Sequence, residues 1–162
     1  MAKKNQDKTN VMRILDQKKI PYTSHSYPHD NGPVDGVTVA RIIERAPECV
    51  FKTLVARGAG KGIFVFVIPV AKELDLKKAA KAVGEKSIAM IHVSEITSIT
   101  GYVRGGCSPV GMRKLFPTVF DESCLSLDTI IVSAGKIGFQ IETAPRLLID
   151  LTRGTTAELT TA

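Results

Sequence analysis

The stretch VFKTLVARGAGKGIFVFVIP, residues 50–69, decides the fold. Two runs rich in β-branched and aromatic residues, 50–57 and 62–69, flank the Gly-containing turn GAGKG. That pattern predicts a β-hairpin. On strand alternation Val50, Lys52 and Leu54 share one face, opposite Phe51, Thr53 and Val55. A lysine on an otherwise apolar strand either snorkels to solvent or lines a polar cavity. The longest apolar run, residues 63–71, is nine residues long and contains Pro69. A membrane-spanning helix needs about 20, so the expectation is a soluble protein.

Around the hairpin the element types alternate. Upstream, Thr9 or Asn10 is placed to cap a helix carrying Val11, Ile14 and Leu15, which stops before Pro21. A loop of turn formers, YPHDNGPVDG, follows, and Thr38 is placed to open a second helix that ends at Pro47. Downstream, Asp75 precedes a helical LKKAAKAVG segment ending near Gly84, with Lys77, Lys78 and Lys81 off its apolar stripe. A short helix is expected over 94–100, strands over 118–120, 128–133 and 138–142, and a closing helix over 145–151. Strands interspersed with short helices predict an α/β fold: one compact domain, with a mixed, barrel-like sheet surrounded by helices. The whole of residues 1–162 is read as that single domain, with residues 1–8 and 154–162 as frayed termini.

Length, composition and charge bound the function. The chain has 162 residues, 44% apolar and 23% charged, so it is globular and of one-domain size. The basic N-terminus is followed by no apolar segment of a secretory signal, which makes the cytoplasm the expected compartment. Residues 52–114 hold 11 basic and 4 acidic side chains, whereas residues 115–162 hold 3 and 6. A concentrated basic region suits a polyanion such as nucleic acid, and equally a solvated lysine face. Cys49, Cys107 and Cys124 form no CxxC, and His25, His29 and His92 make no zinc-like spacing with them. Neither a metal nor a disulfide framework is expected.

The chemistry-bearing strings are GGCSPVG, residues 105–111, and SAGKIG, residues 133–138. Adjacent Gly105 and Gly106 leave backbone N–H groups uncovered for a ligand oxygen. The loop lacks the terminal Gly-Lys-Ser/Thr of a P-loop and the GxGxxG spacing. Cys107 invites a nucleophilic reading, but no histidine adjoins it to activate a thiolate. No Ser-His-Asp order or nucleophile elbow is present, so covalent hydrolase chemistry has no support.

Taken together and in order, HSYPHD, FKTL, GYVRGGCSPVG and IIVSAGKIG resemble the YbaK/EbsC family, which deacylates mischarged tRNAs; the resemblance runs from about Thr9 to Leu151. It is best with the free-standing branch that clears cysteinyl-tRNA(Pro). It implies a compact α/β domain around a pocket for the 3′ aminoacyl-adenosine end of the mischarged tRNA. It also implies a transient complex with prolyl-tRNA synthetase, and no cofactor, metal or membrane. Lys52 matches the family's essential lysine, and Gly105 and Gly106 match the pair whose backbone meets the reacting carbonyl. Ser108, Pro109 and Gly111 complete that loop, Tyr27 matches a pocket tyrosine, and Ser133, Gly135 and Lys136 lie in the matching second loop. At Gln140 this chain departs from relatives that carry an acidic pocket residue there.

An aminoacyl ester is already activated, so the implied site has mainly to position it and stabilise an oxyanion, for which the Gly105–Gly106 amides are the candidates. In the family's proposed route the cysteinyl thiol attacks its own carbonyl. Lys52 would then position the substrate, Cys107 would stand by, and Lys77, Lys78 and Lys81 would meet the tRNA backbone. Two alternatives stand beside this reading: a family member specific for alanine, serine or threonine, and a non-catalytic RNA- or nucleotide-binding module. An aromatic content of 6% without tryptophan disfavours a base-stacking single-strand reader.

Overall fold

The computed structural model describes residues 8–28 and 34–161; residues 1–7 of the expected frayed start and residues 29–33, half of the YPHDNGPVDG loop with His29, fall outside the described residues. The hairpin forms as expected. Strands β2 (Phe51–Gly58) and β3 (Ile63–Pro69) pair antiparallel from Phe51 opposite Pro69 to Arg57 opposite Ile63. With β4 (Ile88–Met90), β5 (Thr118–Asp121) and β8 (Thr155–Ala157) they make a five-stranded sheet in the order β4-β2-β3-β5-β8. Its β4, β2 and β3 are antiparallel, whereas β5 and β8 run parallel to their neighbours. The sheet is mixed.

A second, antiparallel sheet has the order β1-β7-β6, from β1 (Thr23–Ser26), β6 (Ile130–Ser133) and β7 (Phe139–Thr143). The expected single barrel-like sheet is therefore two sheets and does not close. They touch through one parallel bridge between Val50 and Ile131. The reason lies at the outer edge of β2. Its last three residues pair with β4, which is only three residues long, while its start bridges to β6. Among the described residues no strand pairs with the middle of that edge, residues 52–54, and the sheet opens there.

Helices seal both faces. Helix α1 (Asn10–Gln17) is capped by Thr9, whose hydroxyl accepts from the Met12 N–H, and it buries Val11 and Leu15. These join Phe51, Val65, Val67, Ile130, Ile141 and Leu148 of α5 (Pro145–Thr152) in the main core. On the other face, α3 (Leu76–Val83) packs Ala79 and Ala80 against Phe66 and Ile68. Asp75 caps it at one end, and Gly84, at φ +73°, ends it in the left-handed conformation.

Helix α2 (Gly36–Ile42) differs from expectation at both ends. It is capped by Asp35 rather than opened by Thr38, because the Asp35 carboxylate accepts from both the Thr38 N–H and the Thr38 hydroxyl. It stops well before Pro47, where Glu44 turns to φ +58°. The short helix α4 spans Ile96–Thr100.

The C-terminal residues correct a second expectation. Residues 155–157 are not frayed: they add β8 to the edge of β5. Leu159 is fully buried, and its N–H donates to the buried Asp121 carboxylate at 2.9 Å. Burial of one leucine plus a charge-assisted hydrogen bond outweighs the ordering of a few threonines. The sequence obscured this because TTAELTTA offers a single large apolar residue.

Candidate functional site

The open edge of β2 is one wall of a cleft of 480 Å³. Phe51 to Val55 line it from β2, Met90, Ile91, Val93 and Ile96 from the β4–α4 segment, and Ser133 and Gln140 from the second sheet. Tyr27, Val34, Asp35, Gly36 and Val70 close one side, and Arg104, Gly105 and Cys107 the other. No single motif makes the cleft; the junction of the two sheets does.

Of the site residues expected from the sequence, Lys52, Tyr27, Gly105 and Ser133 are brought together here. Lys52 lies opposite Ile68 in the hairpin, half-buried, and its side chain makes no hydrogen bond or ion pair among the described residues. The cavity-lining reading of that lysine is the one the geometry supports. Tyr27 is buried, and its N–H donates to the Gly138 carbonyl, which ties this wall to the second loop. Ser133 accepts from the Gly135 N–H, leaving its own proton available.

The other expected residues lie outside the cleft lining. Gly106 does not line the cleft, and its N–H donates to the Val103 carbonyl at 3.0 Å. It is therefore not a free oxyanion donor, which corrects the expectation for that amide. The N–H groups of Gly105 and Cys107 on either side of it donate to nothing among the described residues. Gly105 holds φ at +87°, a conformation costly to any residue with a Cβ. Ser108 is fully buried and accepts from the Val110 N–H. Pro109 and Gly111 face a separate 210 Å³ cavity beside Ile14 and Met112. Gly135 packs under Tyr102, and Lys136 is exposed, with its backbone against Gly106. Among the expected tRNA contacts, Lys78 is engaged elsewhere, donating to Glu158 Oε1 at 2.7 Å and to the Thr160 carbonyl at 2.8 Å.

Cys107 is in the cleft but is not activated. Burial pushes its thiol from 9.0 up to about 11, so it is protonated at neutral pH. Tyr102 behind it is likewise pushed to about 12 by burial, and its hydroxyl donates to the Val110 carbonyl. Thr53, Arg104 and the apolar Met90–Ile96 wall were missed from the sequence, because they carry no motif and reach the cleft only through the fold.

Comparison with known proteins gives the family. The model of the aminoacyl-tRNA editing domain matches residues 35–151, from the Asp35 side of the cleft through Gln140 to the last core helix. The chain belongs to that family. A full-length relative, EbsC of Enterococcus faecalis, is provisionally named a Cys-tRNA(Pro)/Cys-tRNA(Cys) deacylase. It is 46% identical over 159 residues, covering 98% of this chain and 97% of the relative. Two crystal structures share the fold. One is described as a candidate trans-editing enzyme for prolyl-tRNA synthetase (TM-score 0.81, 24% identity, 94% of this chain and 95% of that one). The other is a hypothetical protein (TM-score 0.84, 21% identity, 94% and 100%). This editing domain thus carries its cleft where two sheets part, and among the described residues no helix is long and apolar enough to cross a membrane.

Proposed function

We propose that this editing domain acts in the cytoplasm as a free-standing deacylase of cysteinyl-tRNA(Pro), holding the 3′ aminoacyl-adenosine in the cleft at Lys52. The observation that carries the reading is a cleft with a free cation and free amides but no activated nucleophile. Lys52 has no partner among the described residues, the Gly105 and Cys107 N–H groups are unused, and the one thiol present is held protonated by burial. Such a site binds and polarises an ester but cannot attack it.

The missing nucleophile is then the substrate's own. The cysteinyl sulfur forms a bond to its carbonyl carbon, the ester C–O bond breaks, and the thiol proton passes to the departing ribose oxygen. The cyclic thioester so released takes up water to give cysteine. Lys52 orients the ester, and the Gly105 and Cys107 amides face the oxyanion; fixed donors of this kind are worth about 10²–10³ in rate each. A domain this small has little surface with which to read a whole tRNA, so a transient complex with prolyl-tRNA synthetase supplies tRNA choice in this reading.

The test is a deacylation panel with cysteinyl-, alanyl-, seryl-, threonyl- and prolyl-tRNA. Release of cysteine well above the spontaneous rate, with slow release of serine, is the expected result. Efficient serine release would indicate a water mechanism, and no release from any substrate would leave only a binding module.

A further inference from the structure

Leu115 is the most exposed large apolar side chain among the described residues, at 61%. A lone exposed leucine needs no explanation, but this one stands at the mouth of a pit. The 210 Å³ cavity beside it is lined by Ile14, Val110, Met112, Phe116 and Leu151. It shares no residue with the cleft at Lys52, although one loop serves both: Gly105 and Cys107 face the cleft, Pro109 and Gly111 the pit. The volume falls below the roughly 300–1,000 Å³ of small-molecule sites, and suits an anchoring apolar side chain of a protein instead.

Charge narrows the occupant. Lys114 lines the pit, and the exposed charged residues adjoining its lining in sequence are Arg13, Arg113 and Arg153 against one acid, Asp150. None of these four cations is in an ion pair among the described residues. The fitting occupant is an apolar side chain flanked by carboxylates, and this chain presents one itself. Leu125 is 47% exposed in the 3-10 helix Glu122–Ser126, which follows β5. Residues three apart eclipse in such a helix, so Glu122 stands over Leu125, and exposed Asp128 comes three residues later. Neither carboxylate is paired among the described residues. The two features are neighbours. Thr118 at the start of β5 lines the pit, Asp121 at its end caps the 3-10 helix, and α5 packs against both. About 10 Å of strand lies between them.

We propose that two copies of this chain pair about a two-fold axis, the Leu125 knob of each seated in the Leu115 pit of the other. A basic pit beside an acidic knob is self-complementary, as an isologous contact requires: pit meets knob and knob meets pit. No cleft-lining residue takes part, and the pairing is independent of what the cleft binds. RNA is the less suited occupant. A pit with one aromatic, Phe116, among aliphatic side chains is no stacking platform for bases, and its apolar lining offers nothing to a phosphate. Two small contacts of this kind make a weak dimer, formed in the micromolar range.

The experiment is sedimentation equilibrium of the full chain across the micromolar range, with Leu115→Asp, Leu125→Lys and an equimolar mixture of the two. The wild type is expected to approach twice the chain mass. Each variant alone should pair at least tenfold more weakly, because both contacts of its dimer are spoiled. The mixture should regain pairs, because the intact knob of Leu115→Asp meets the intact pit of Leu125→Lys and the two new charges oppose one another in the second contact. Melts at low concentration should match the wild type; if either variant melts several degrees lower, Leu115→Ser and Leu125→Ser replace the pair with the same expectations. A wild type that keeps the single-chain mass throughout, a variant that pairs as the wild type does, or a mixture that stays single overturns the proposal. A single-chain wild type whose affinity for tRNA falls on Lys114→Glu would overturn it too, and would give this face to nucleic acid.

Discussion

A Cβ placed on Gly106 would stand 3.1 Å from the backbone nitrogen of Ile137. The same atom would lie 3.3 Å from Lys136 Cα and from its carbonyl carbon. The loop that carries Gly105 and Cys107 into the cleft is thus seated on the 133–138 loop by a contact between backbones. Backbone cannot swing aside as a side-chain tip can, so Gly106→Ala should displace one loop from the other. Overpacking of this kind costs about 1–3 kcal/mol. The expected outcome is a lower melting temperature together with slower deacylation. Full activity at an unchanged melting temperature would mean that the two loops do not bear on one another.

Cys107 should be dispensable for chemistry. With its thiol pushed up to about 11, alkylation by iodoacetamide at pH 7.5 should be slow, and Cys107→Ser should keep most of the deacylase rate. A thousandfold loss, with an acyl-enzyme trapped in mass spectrometry, would instead make Cys107 the nucleophile.

The same burial sets the alkaline limit of the fold. Cys107 and Cys124 are raised from 9.0 to about 11, and Tyr102 from 10.0 to about 12. The folded state therefore keeps protons that the unfolded chain releases. Stability from these groups is complete below about pH 9 and is lost as pH rises through 11 to 12. Denaturant midpoints should fall steadily above pH 9. The slope between pH 9 and 11 should flatten in Cys107→Ser/Cys124→Ala, whatever that variant's stability at neutral pH. A midpoint independent of pH up to 11 would contradict the burial argument.

Asp121 should anchor the C-terminal segment. Its buried carboxylate accepts from the Leu159 N–H at 2.9 Å and from the Ser123 N–H at 3.2 Å. Asp121→Ala leaves the buried Leu159 N–H without its partner, at a cost of about 1–3 kcal/mol, whereas the exposed Ser123 can turn its N–H to water. The expected result is a lower denaturant midpoint and faster proteolytic trimming of the last eight residues. Trimming at the wild-type rate would show that β8 and Leu159 hold the segment without the carboxylate.

The sequence made the hairpin, α1, α3 and α5 legible because each announces itself locally, by alternation, by a capping Thr9 or Asp75, by Pro145 at a first turn. It made Lys52 conspicuous as a charge on an apolar strand. It could not show that β2's edge is divided between β4 and β6, since that depends on Ile88–Met90 being too short to cover Lys52 through Leu54. Thr53 looked like an ordinary strand residue for the same reason. Gly106 was misread in the opposite direction: a Gly-Gly pair advertises open backbone, yet one of the two serves close packing. Local pattern reveals which residues are unusual; only the assembled sheets reveal which of them face the same space.

Lys52 should act on the bound ester and contribute little to the fold. It is half-buried on the wall of the cleft, and nothing among the described residues neutralises it. In the free protein its ammonium makes no bond that the fold depends on, so Lys52→Ala should melt close to the wild-type temperature. With ligand present a charge-assisted hydrogen bond is worth about 1.5–3 kcal/mol, and about 1.4 kcal/mol is a decade in rate. Single-turnover deacylation should accordingly drop at least tenfold to a hundredfold. Lys52→Arg should not restore it, because a planar guanidinium fork does not reproduce the donor geometry of a compact ammonium. Paired melts and single-turnover assays on both variants decide the matter. A Lys52→Ala protein that melts several degrees lower yet deacylates normally would make the lysine structural and would move the reaction elsewhere.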